Sequence, residues 1–257
     1  MRWDIAILSE PGERENNEDC VAVTSGDAGI CTVLCDGLGG HDAGEVASKC
    51  VCDSVTAAFE KAPEGADIGE LVCELLQNAQ DGLMKMQIEL DKQNGMKTTA
   101  CCLLIQDGKT AAAYVGDSRI YQFRKNKVLL RSSDHSIPQY LVNIGEIKER
   151  DIRHHPDRNK LLRVMGSEWE TPRYQRLKLE EPVCGDAFLL CTDGFWEWIE
   201  EKDMERFLKR ASCSEEWLNT MKKFIYARGR GNRMDNLSAI AIMRVEGDDD
   251  GEDDPVR

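Results

Sequence analysis

The sequence lacks long apolar runs, and none approaches the length of about 18 residues that a membrane-spanning helix needs. Its opening residues, MRWDIAILSEPG, hold only a short apolar run before acidic residues and a proline, which does not fit a secretory signal peptide. Basic residues are in deficit, with 33 Lys and Arg against 47 Asp and Glu, for a net charge of −14. Such a charge disfavours nucleic acids and anionic membranes as partners. We therefore expect a cytoplasmic protein that binds neither a membrane nor nucleic acid.

Metal-binding cysteine spacings are also missing, although the chain has 11 cysteines. There is no Cys-x-x-Cys pair, so the spacing gives little support for a zinc or redox site. Most of the cysteines lie in apolar runs or helical stretches, which is typical of buried, reduced thiols in a cytosolic protein. Internal repeats and long linkers are absent as well. A chain of 257 residues without them fits one domain, or two small ones.

Short strands and paired helices alternate along the chain. The strands DIAILS, CVAVTS and CTVLCD precede two helices, predicted at about 41–60 and 67–92. The next strands, TTACCLLIQ, TAAAYVGD, RIYQFR and KVLLRSS, are so closely spaced that antiparallel hairpins are favoured over parallel crossovers. A charged, irregular segment (136–166) follows, then the strands RYQRLKLE and DAFLLCTD, helices at about 200–209 and 214–227, and the strand LSAIAIMRV. The pattern predicts one α+β domain over residues 1–246 and a disordered acidic tail over residues 247–257.

Acidic residues stand at the ends of several predicted strands. They are Asp36, Asp117 and Asp193 after strands, Asp235 at the opening of the last strand, and the pair Glu18 and Asp19 before the second. Each alone fits a turn or a cap. Strand ends of an antiparallel sandwich share an edge, however, and carboxylates gathered there repel one another unless protons or cations intervene. Hard divalent ions such as Mg²⁺ and Mn²⁺ take oxygen ligands, and Gly37 lets a main-chain carbonyl approach such an ion. We therefore expect a divalent metal site at this edge.

Seven motifs, in order, resemble those of the metal-dependent protein phosphatases, the type-2C serine/threonine phosphatases. They are GERENNED, DGLGG, YVGDSR, SDHS, LLRVMG, CTDGFWE and DNLSAI. The resemblance covers residues from about 4 to 245, and the compact length is similar to that of bacterial members. It implies a four-layer αββα sandwich, in which two mostly antiparallel sheets are flanked by helix pairs. It also implies a binuclear Mn²⁺ or Mg²⁺ centre at one end, with a possible weaker third ion.

The resemblance further implies which residues ligate the metal ions: Asp19, Asp36, Gly37, Asp117, Asp193 and Asp235. Asp36 would bridge the two ions, and the Gly37 carbonyl would bind one of them. Asp193 and Asp235 would bind the other. Asp19, with Glu18 beside it, would belong to the same cluster, and Asp117 would share the third ion with Asp193.

The implied reaction is direct hydrolysis of phosphoserine and phosphothreonine in proteins, with Arg14, Asp36 and Asp193 as its catalytic residues. Two close divalent ions activate a water between them, and Arg14 can bind phosphate oxygens bidentately. No cysteine lies in a Cys-x5-Arg loop, which argues against a thiolate nucleophile. The expected partners are phosphorylated substrates of a serine/threonine kinase in signal transduction, and we expect a monomer.

One position departs from the pattern of some family members, which carry a histidine directly after the first Asp-Gly. Here that residue is Leu38, which cannot donate a proton. His41 is nearby, but a residue at the start of a helix is the simpler interpretation. His135, in SDHS, is expected to have a structural hydrogen-bonding role.

Two other functions stay open. A weakly active homologue could serve as a regulatory binding module, which Leu38 favours and the intact set of acidic residues opposes. A hydrolase of small phosphoesters would use the same reactive centre. Substrate choice is expected to lie in residues 136–166.

Overall fold

A computed structural model describes residues 2–39, 43–92 and 95–246. The first half of the chain contains β1 (Arg2–Glu10), β2 (Asp19–Gly26), β3 (Gly29–Leu38), α1 (Ala43–Phe59), α2 (Ile68–Glu89), β4 (Lys97–Thr98), β5 (Ala100–Gln106), β6 (Lys109–Val115), β7 (Arg119–Arg124) and β8 (Lys127–Arg131). The second half contains α3 (Ile137–Asn143), a 3₁₀ helix (Glu149–His154), β9 (Gln175–Leu177), β10 (Ala187–Cys191), α4 (Asp193–Trp196), α5 (Glu201–Leu208), α6 (Ser214–Gly229) and β11 (Leu237–Val245).

The strands form two antiparallel sheets. The first sheet has the order β1-β11-β10-β7-β8. The second has the order β2-β3-β5-β6-β9, and the short strand β4 pairs with β3. The antiparallel pairing predicted from the short turns is confirmed.

Three apolar layers separate four layers of secondary structure. Helices α1 and α2 pack on the second sheet, where Val51, Leu76 and Leu104 are buried. The facing sides of the two sheets enclose a separate apolar cluster. Helices α5 and α6 cover the outer side of the first sheet, where Trp217 and Leu189 are buried. This is the αββα sandwich that the motif resemblance implied.

Helix α2 shows how the sequence sets these boundaries. The Asp67 side chain accepts hydrogen bonds from the backbone N–H groups of Gly69 (2.8 Å) and Glu70 (3.1 Å), which caps the helix. Its buried leucines recur at helical spacing, so one stripe faces the core. The helix ends at Glu89, three residues before the predicted end at 92.

Several elements differ from the prediction. The strand RYQRLKLE shrinks to Gln175–Leu177, because β6 offers it only three paired residues at the edge of the sheet. Segment 136–166 resolves into α3 and the 3₁₀ helix, while β4 and α4 were not predicted. The last strand begins at Leu237, so Asp235 precedes it by two residues instead of opening it.

Other expectations can be compared directly with the structure. Within the described ranges no helix is long and apolar enough to cross a membrane. All 11 cysteines are free thiols, and most are buried, as their apolar contexts predicted. The acidic tail (247–257) and His41 lie outside the described residues.

Candidate metal centre

The hairpin of β2 and β3 places two of the predicted carboxylates side by side. Its register sets Asp19 directly opposite Asp36. The backbone of Asp36 is held from the next strand: its N–H donates to Thr99 Oγ1 (3.0 Å), and its carbonyl accepts from Thr98 Oγ1 (2.8 Å) and the Thr99 N–H (2.9 Å). The position of Asp36 is therefore fixed by the sheet and not by a mobile turn.

Gly37 occupies a place that has no room for a side chain. Its N–H donates to the Glu18 carbonyl at 3.1 Å. A Cβ atom there would lie 2.5 Å from that carbonyl oxygen and would also overlap the Gly44 carbonyl at the start of α1. Glycine thus lets the backbone at the end of β3 lie on the wall of the cavity described below.

The first sheet supplies two more carboxylates. Asp193 begins α4 immediately after β10, and Asp235 lies just before β11. The two segments touch, because a Cβ atom on Gly194 would overlap the carbonyl oxygen of Asn236. Thr192 Oγ1 donates to Asp19 Oδ2 at 3.1 Å, which links the two sheets at the site.

Asp117 lies in the turn between β6 and β7 and is only 4% exposed. Its carbonyl accepts a hydrogen bond from the Trp196 indole N–H at 3.0 Å. The buried Arg119 stacks on that indole at 3.5 Å and binds Asp134 through two hydrogen bonds, of 2.9 and 2.7 Å. Packing thus connects the Asp117 turn to α4, which carries Asp193.

These segments surround one cavity of about 610 Å³. The predicted site residues that line it are Arg14, Asp36, Gly37, Asp117, Asp193 and Asp235. Leu38, Asn159 and Leu161 line it too, so segment 136–166 reaches the site. Asp19 is not on the cavity wall and sits between Asp36 and Thr192.

Burial and mutual repulsion raise the pKa values of four carboxyl groups at the site, those of Asp19, Asp36, Asp117 and Asp193. Burial raises the pKa of Asp117 to about 7, and the charge of Asp134 adds to it. Burial also raises the pKa of Asp19 to about 7, against hydrogen bonds that favour the charged form. The pKa values of Asp36 and Asp193 rise well above the ordinary range, first through burial and then through neighbouring aspartates. The site therefore holds more negative charge than its own surroundings neutralise.

Arg14 supplies a positive charge at the rim. Its Nη2 donates to Asp235 Oδ2 at 2.8 Å, and the two side chains are 56% and 36% exposed. The hydrogen bond and the charge of Asp235 raise the pKa of Arg14. The guanidinium is therefore anchored next to the carboxylates while more than half of its side chain remains open to a ligand.

The donor set fits hard divalent cations, because it consists of carboxylates, from the buried Asp117 to the partly exposed Asp235, and of the Gly37 backbone at the cavity wall. Mg²⁺ commonly binds proteins through one or two carboxylates and keeps several waters. The described residues contain no group of three Asp, Glu, His or Cys side chains arranged to hold one ion, whereas the motif resemblance implies Asp36, Asp193 and Asp235 around one of the two ions.

His135 makes the structural hydrogen bonds that the sequence predicted, whereas the roles of three other side chains near the site were not predicted. His135 accepts from the Gly116 N–H through Nδ1 (3.1 Å), lies 3.2 Å from Gln175 Oε1 through Nε2, and stacks on Tyr114, as a structural histidine does. The roles of Thr98, Thr99 and Asn236 were missed. The only sequence signals were the position of the threonines at the start of an apolar strand and of Asn236 inside DNLSAI.

Known proteins share the sequence and the fold. The sequence profile of the family described as protein phosphatase 2C matches residues 12–227. The serine/threonine protein phosphatase PstP of Mycobacterium tuberculosis (strain H37Rv) is 28% identical over 236 residues, which are 91% of this chain and 43% of that protein. The chain thus spans less than half the length of this relative. The serine/threonine phosphatase stp of Listeria welshimeri is 29% identical over 236 residues, which are 90% of this chain and 91% of that protein.

The fold of this chain is also similar to the folds of solved structures. The crystal structure of the M. tuberculosis serine/threonine phosphatase PstP/Ppp matches with a TM-score of 0.82 at 25% identity, covering 96% of this chain and 100% of that one. The catalytic domain of PstP in complex with 2 manganese ions matches with a TM-score of 0.80 at 25% identity, covering 95% and 99%.

Proposed function

Because the chain belongs to the protein phosphatase 2C family, we propose that it hydrolyses phosphoserine and phosphothreonine esters in proteins. The observation that carries the proposal is the meeting of carboxylates from both sheets, among them Asp36 and Asp193, around one cavity with the Arg14 guanidinium at its rim. Two Mn²⁺ or Mg²⁺ ions and a weaker third belong to the proposal, supported by the 2 manganese ions in the related PstP structure. When bound, these ions supply an activated water and neutralise the charge of the phosphate.

The proposed roles follow from where the side chains lie. Asp36, Asp193 and Asp235 hold the ions at the cavity, together with the backbone of Gly37. Asp117 lies close enough to Asp193 for its charge to raise the pKa of Asp193, so a third ion would share these two carboxylates. Asp19 supports the cluster from beside Asp36.

Arg14 binds the phosphate, since its fork of N–H groups matches the phosphate oxygens. Leu38 offers no proton to the leaving oxygen, and histidine is absent from the described residues that line the cavity. The proton for the leaving group would then come from a metal-bound water or from another residue of the site.

The cellular setting belongs to the same proposal. The substrates would be proteins phosphorylated by a serine/threonine kinase, and residues 1–246 would act as one monomeric catalytic domain. Free thiols throughout the chain are typical of a reducing compartment, which favours the cytoplasm.

The test is a phosphatase assay on a phosphothreonine peptide with titrated Mn²⁺, repeated on Asp193→Asn. A matched control is Asp27→Asn, the same change on an exposed residue of the β2–β3 turn, away from the cavity. We expect chelation and Asp193→Asn each to abolish turnover and Asp27→Asn to leave it intact. Near-normal turnover by folded Asp193→Asn would refute the proposed centre.

The same assay separates the other two functions. Turnover of p-nitrophenyl phosphate without turnover of any phosphopeptide would indicate a hydrolase of small phosphoesters. Phosphopeptide binding without turnover of either substrate would indicate a regulatory binding module.

A further inference from the structure

The side chain of Asn236 makes three hydrogen bonds to the backbone of one loop, residues 11–18. Its Nδ2 donates to the carbonyls of Pro11 (3.0 Å) and Asn16 (2.8 Å), and its Oδ1 accepts from the Glu18 N–H (2.8 Å). Asn236 is only 7% exposed, so these bonds form out of solvent. One amide thus holds both ends of the segment 11–18, and Arg14 lies between the held points.

The same loop is attached at a second place. The Glu13 N–H donates to the Met234 carbonyl at 3.0 Å. The Glu13 carboxylate accepts from the N–H groups of Gly231 (2.7 Å) and Met234 (3.2 Å). Gly12 packs against the backbone of Asp235, where a Cβ atom on Gly12 would overlap the Asp235 carbonyl. Its φ of +63° also favours glycine. The loop therefore lies against residues 231–236 along its length.

We propose that Asn236 is a positioning residue that sets the Arg14 guanidinium over the cavity for phosphate binding. The inference rests on the phosphate-binding role proposed above for Arg14. A long arginine side chain that must hold one geometry loses rotamer freedom, and a backbone fixed beforehand reduces that cost on binding. Asn236 acts through the carbonyl of Pro11, which also accepts the Arg14 N–H at 3.1 Å.

An effect of Asn236 on Arg14 through Asp235 can be distinguished from an effect through the loop. Asp235 Oδ1 accepts from the backbone N–H of Asn236 at 2.9 Å, and that bond does not use the Asn236 side chain. Replacing the side chain therefore leaves the contact to Asp235 in place and removes the contacts to the loop.

The experiment measures the Kd of inorganic phosphate by calorimetry on the Mn²⁺-loaded full chain, together with KM and kcat for a phosphothreonine peptide. The variants are Asn236→Ala, Arg14→Ala and the double variant. The matched control is Gln122→Ala, which removes another buried amide that holds a loop backbone, through two bonds of 2.9 Å to Glu180. Gln122 is not among the residues that line the cavity.

We expect Asn236→Ala to raise the Kd of phosphate and the KM roughly tenfold, as the weakening of a charged hydrogen bond does. The Mn²⁺ affinity of Asn236→Ala should stay unchanged. The kinetics of the control Gln122→Ala should stay unchanged as well. In the Arg14→Ala background, Asn236→Ala should add no further loss, because the effect runs through Arg14. An unchanged phosphate Kd in folded Asn236→Ala would overturn the inference. A further loss in the double variant, or a fall in Mn²⁺ affinity as large as the fall in phosphate affinity, would do so as well.

Glu13→Ala gives an independent reading if Asn236→Ala does not fold. Removing the negative charge of Glu13 from the cavity wall favours phosphate binding, so a raised Kd can only come from the loosened loop. A lowered or unchanged Kd would overturn the inference. If the native chain binds phosphate but turns over no phosphopeptide, the proposed function fails while the positioning result still stands. A native chain that does not bind phosphate would overturn the positioning role.

Discussion

Asp117→Asn should stabilise the metal-free protein at alkaline pH, although it removes a proposed metal ligand. Asp117 is 4% exposed, and its pKa rises from an ordinary 3.8 to about 7. A group whose pKa is higher in the folded chain than in the unfolded chain stabilises the fold only while it is protonated. That contribution is complete below 3.8 and is lost as the pH rises through about 7.

The magnitude follows from the two pKa values. A rise from 3.8 to about 7 corresponds to roughly 4 kcal/mol between protonated and charged forms. Neighbouring carboxylates titrate together, so removing one charge recovers only part of this, and we expect about 2 kcal/mol. For a chain of this size that is a rise in Tm of about 4–8 °C.

The assay is thermal unfolding in chelator, followed by calorimetry at about pH 5 and about pH 8.5 on either side of the pKa. We expect the gain of Asp117→Asn over the native chain to be largest at the higher pH and smaller at the lower pH, where the folded chain still carries the Asp117 proton but the unfolded chain has already lost it. Added Mn²⁺ should raise the Tm of the native chain more than that of the variant. A variant that is less stable at the higher pH, or one whose Tm difference does not depend on pH, would refute the electrostatic argument.

Three further outcomes are expected from the same site and its surroundings. Arg14→Ala should raise KM and lower kcat/KM by a factor equivalent to about 2–4 kcal/mol, as loss of a bidentate charged contact does. Its circular dichroism spectrum should be unchanged, and unaltered kinetics on a phosphothreonine peptide would contradict the role of Arg14. Leu38→His should raise turnover of an alkyl phosphate more than that of p-nitrophenyl phosphate, because only the alkyl leaving group needs a proton, and equal effects in a folded variant would show that no proton passes through this position. Truncation after Glu246 should leave turnover of small substrates unchanged, since the domain closes with β11, and a loss of turnover would make the acidic tail part of the working site.

The carboxylates of the site could be predicted because each stands at a strand boundary that the apolar pattern marks. Asp36 and Asp193 follow continuous apolar runs, and antiparallel strand ends share an edge, so their meeting followed from the sequence. The opposition of Asp19 to Asp36 depends on the hairpin register, which follows from the length of the turn between them.

The supporting residues could not be predicted on the same grounds. Asn236 matters because two carbonyls and one N–H of a distant loop come within its reach, and no periodicity encodes the path of that loop. The sequence predicts only that Thr98 and Thr99 are the polar start of a strand. In the structure their hydroxyl groups form hydrogen bonds with the backbone of Asp36. Asp235 precedes β11 instead of opening it, because its own carbonyl packs against Gly12.

The hydrogen bond from Thr192 to Asp19 crosses the seam between the two sheets, and carboxylates from both sheets would hold the proposed ions in the cavity at this end. Metal ions bound as proposed would join the two sheets at one end of the sandwich, while apolar contacts between the sheets hold the rest together. A substitution such as Ile240→Ala, in the apolar cluster between the sheets, would weaken this junction by letting the sheets shift against each other. Metal binding and the alignment of the two sheets would then depend on each other, so a substitution that disturbs the alignment should weaken metal binding even where the fold is kept.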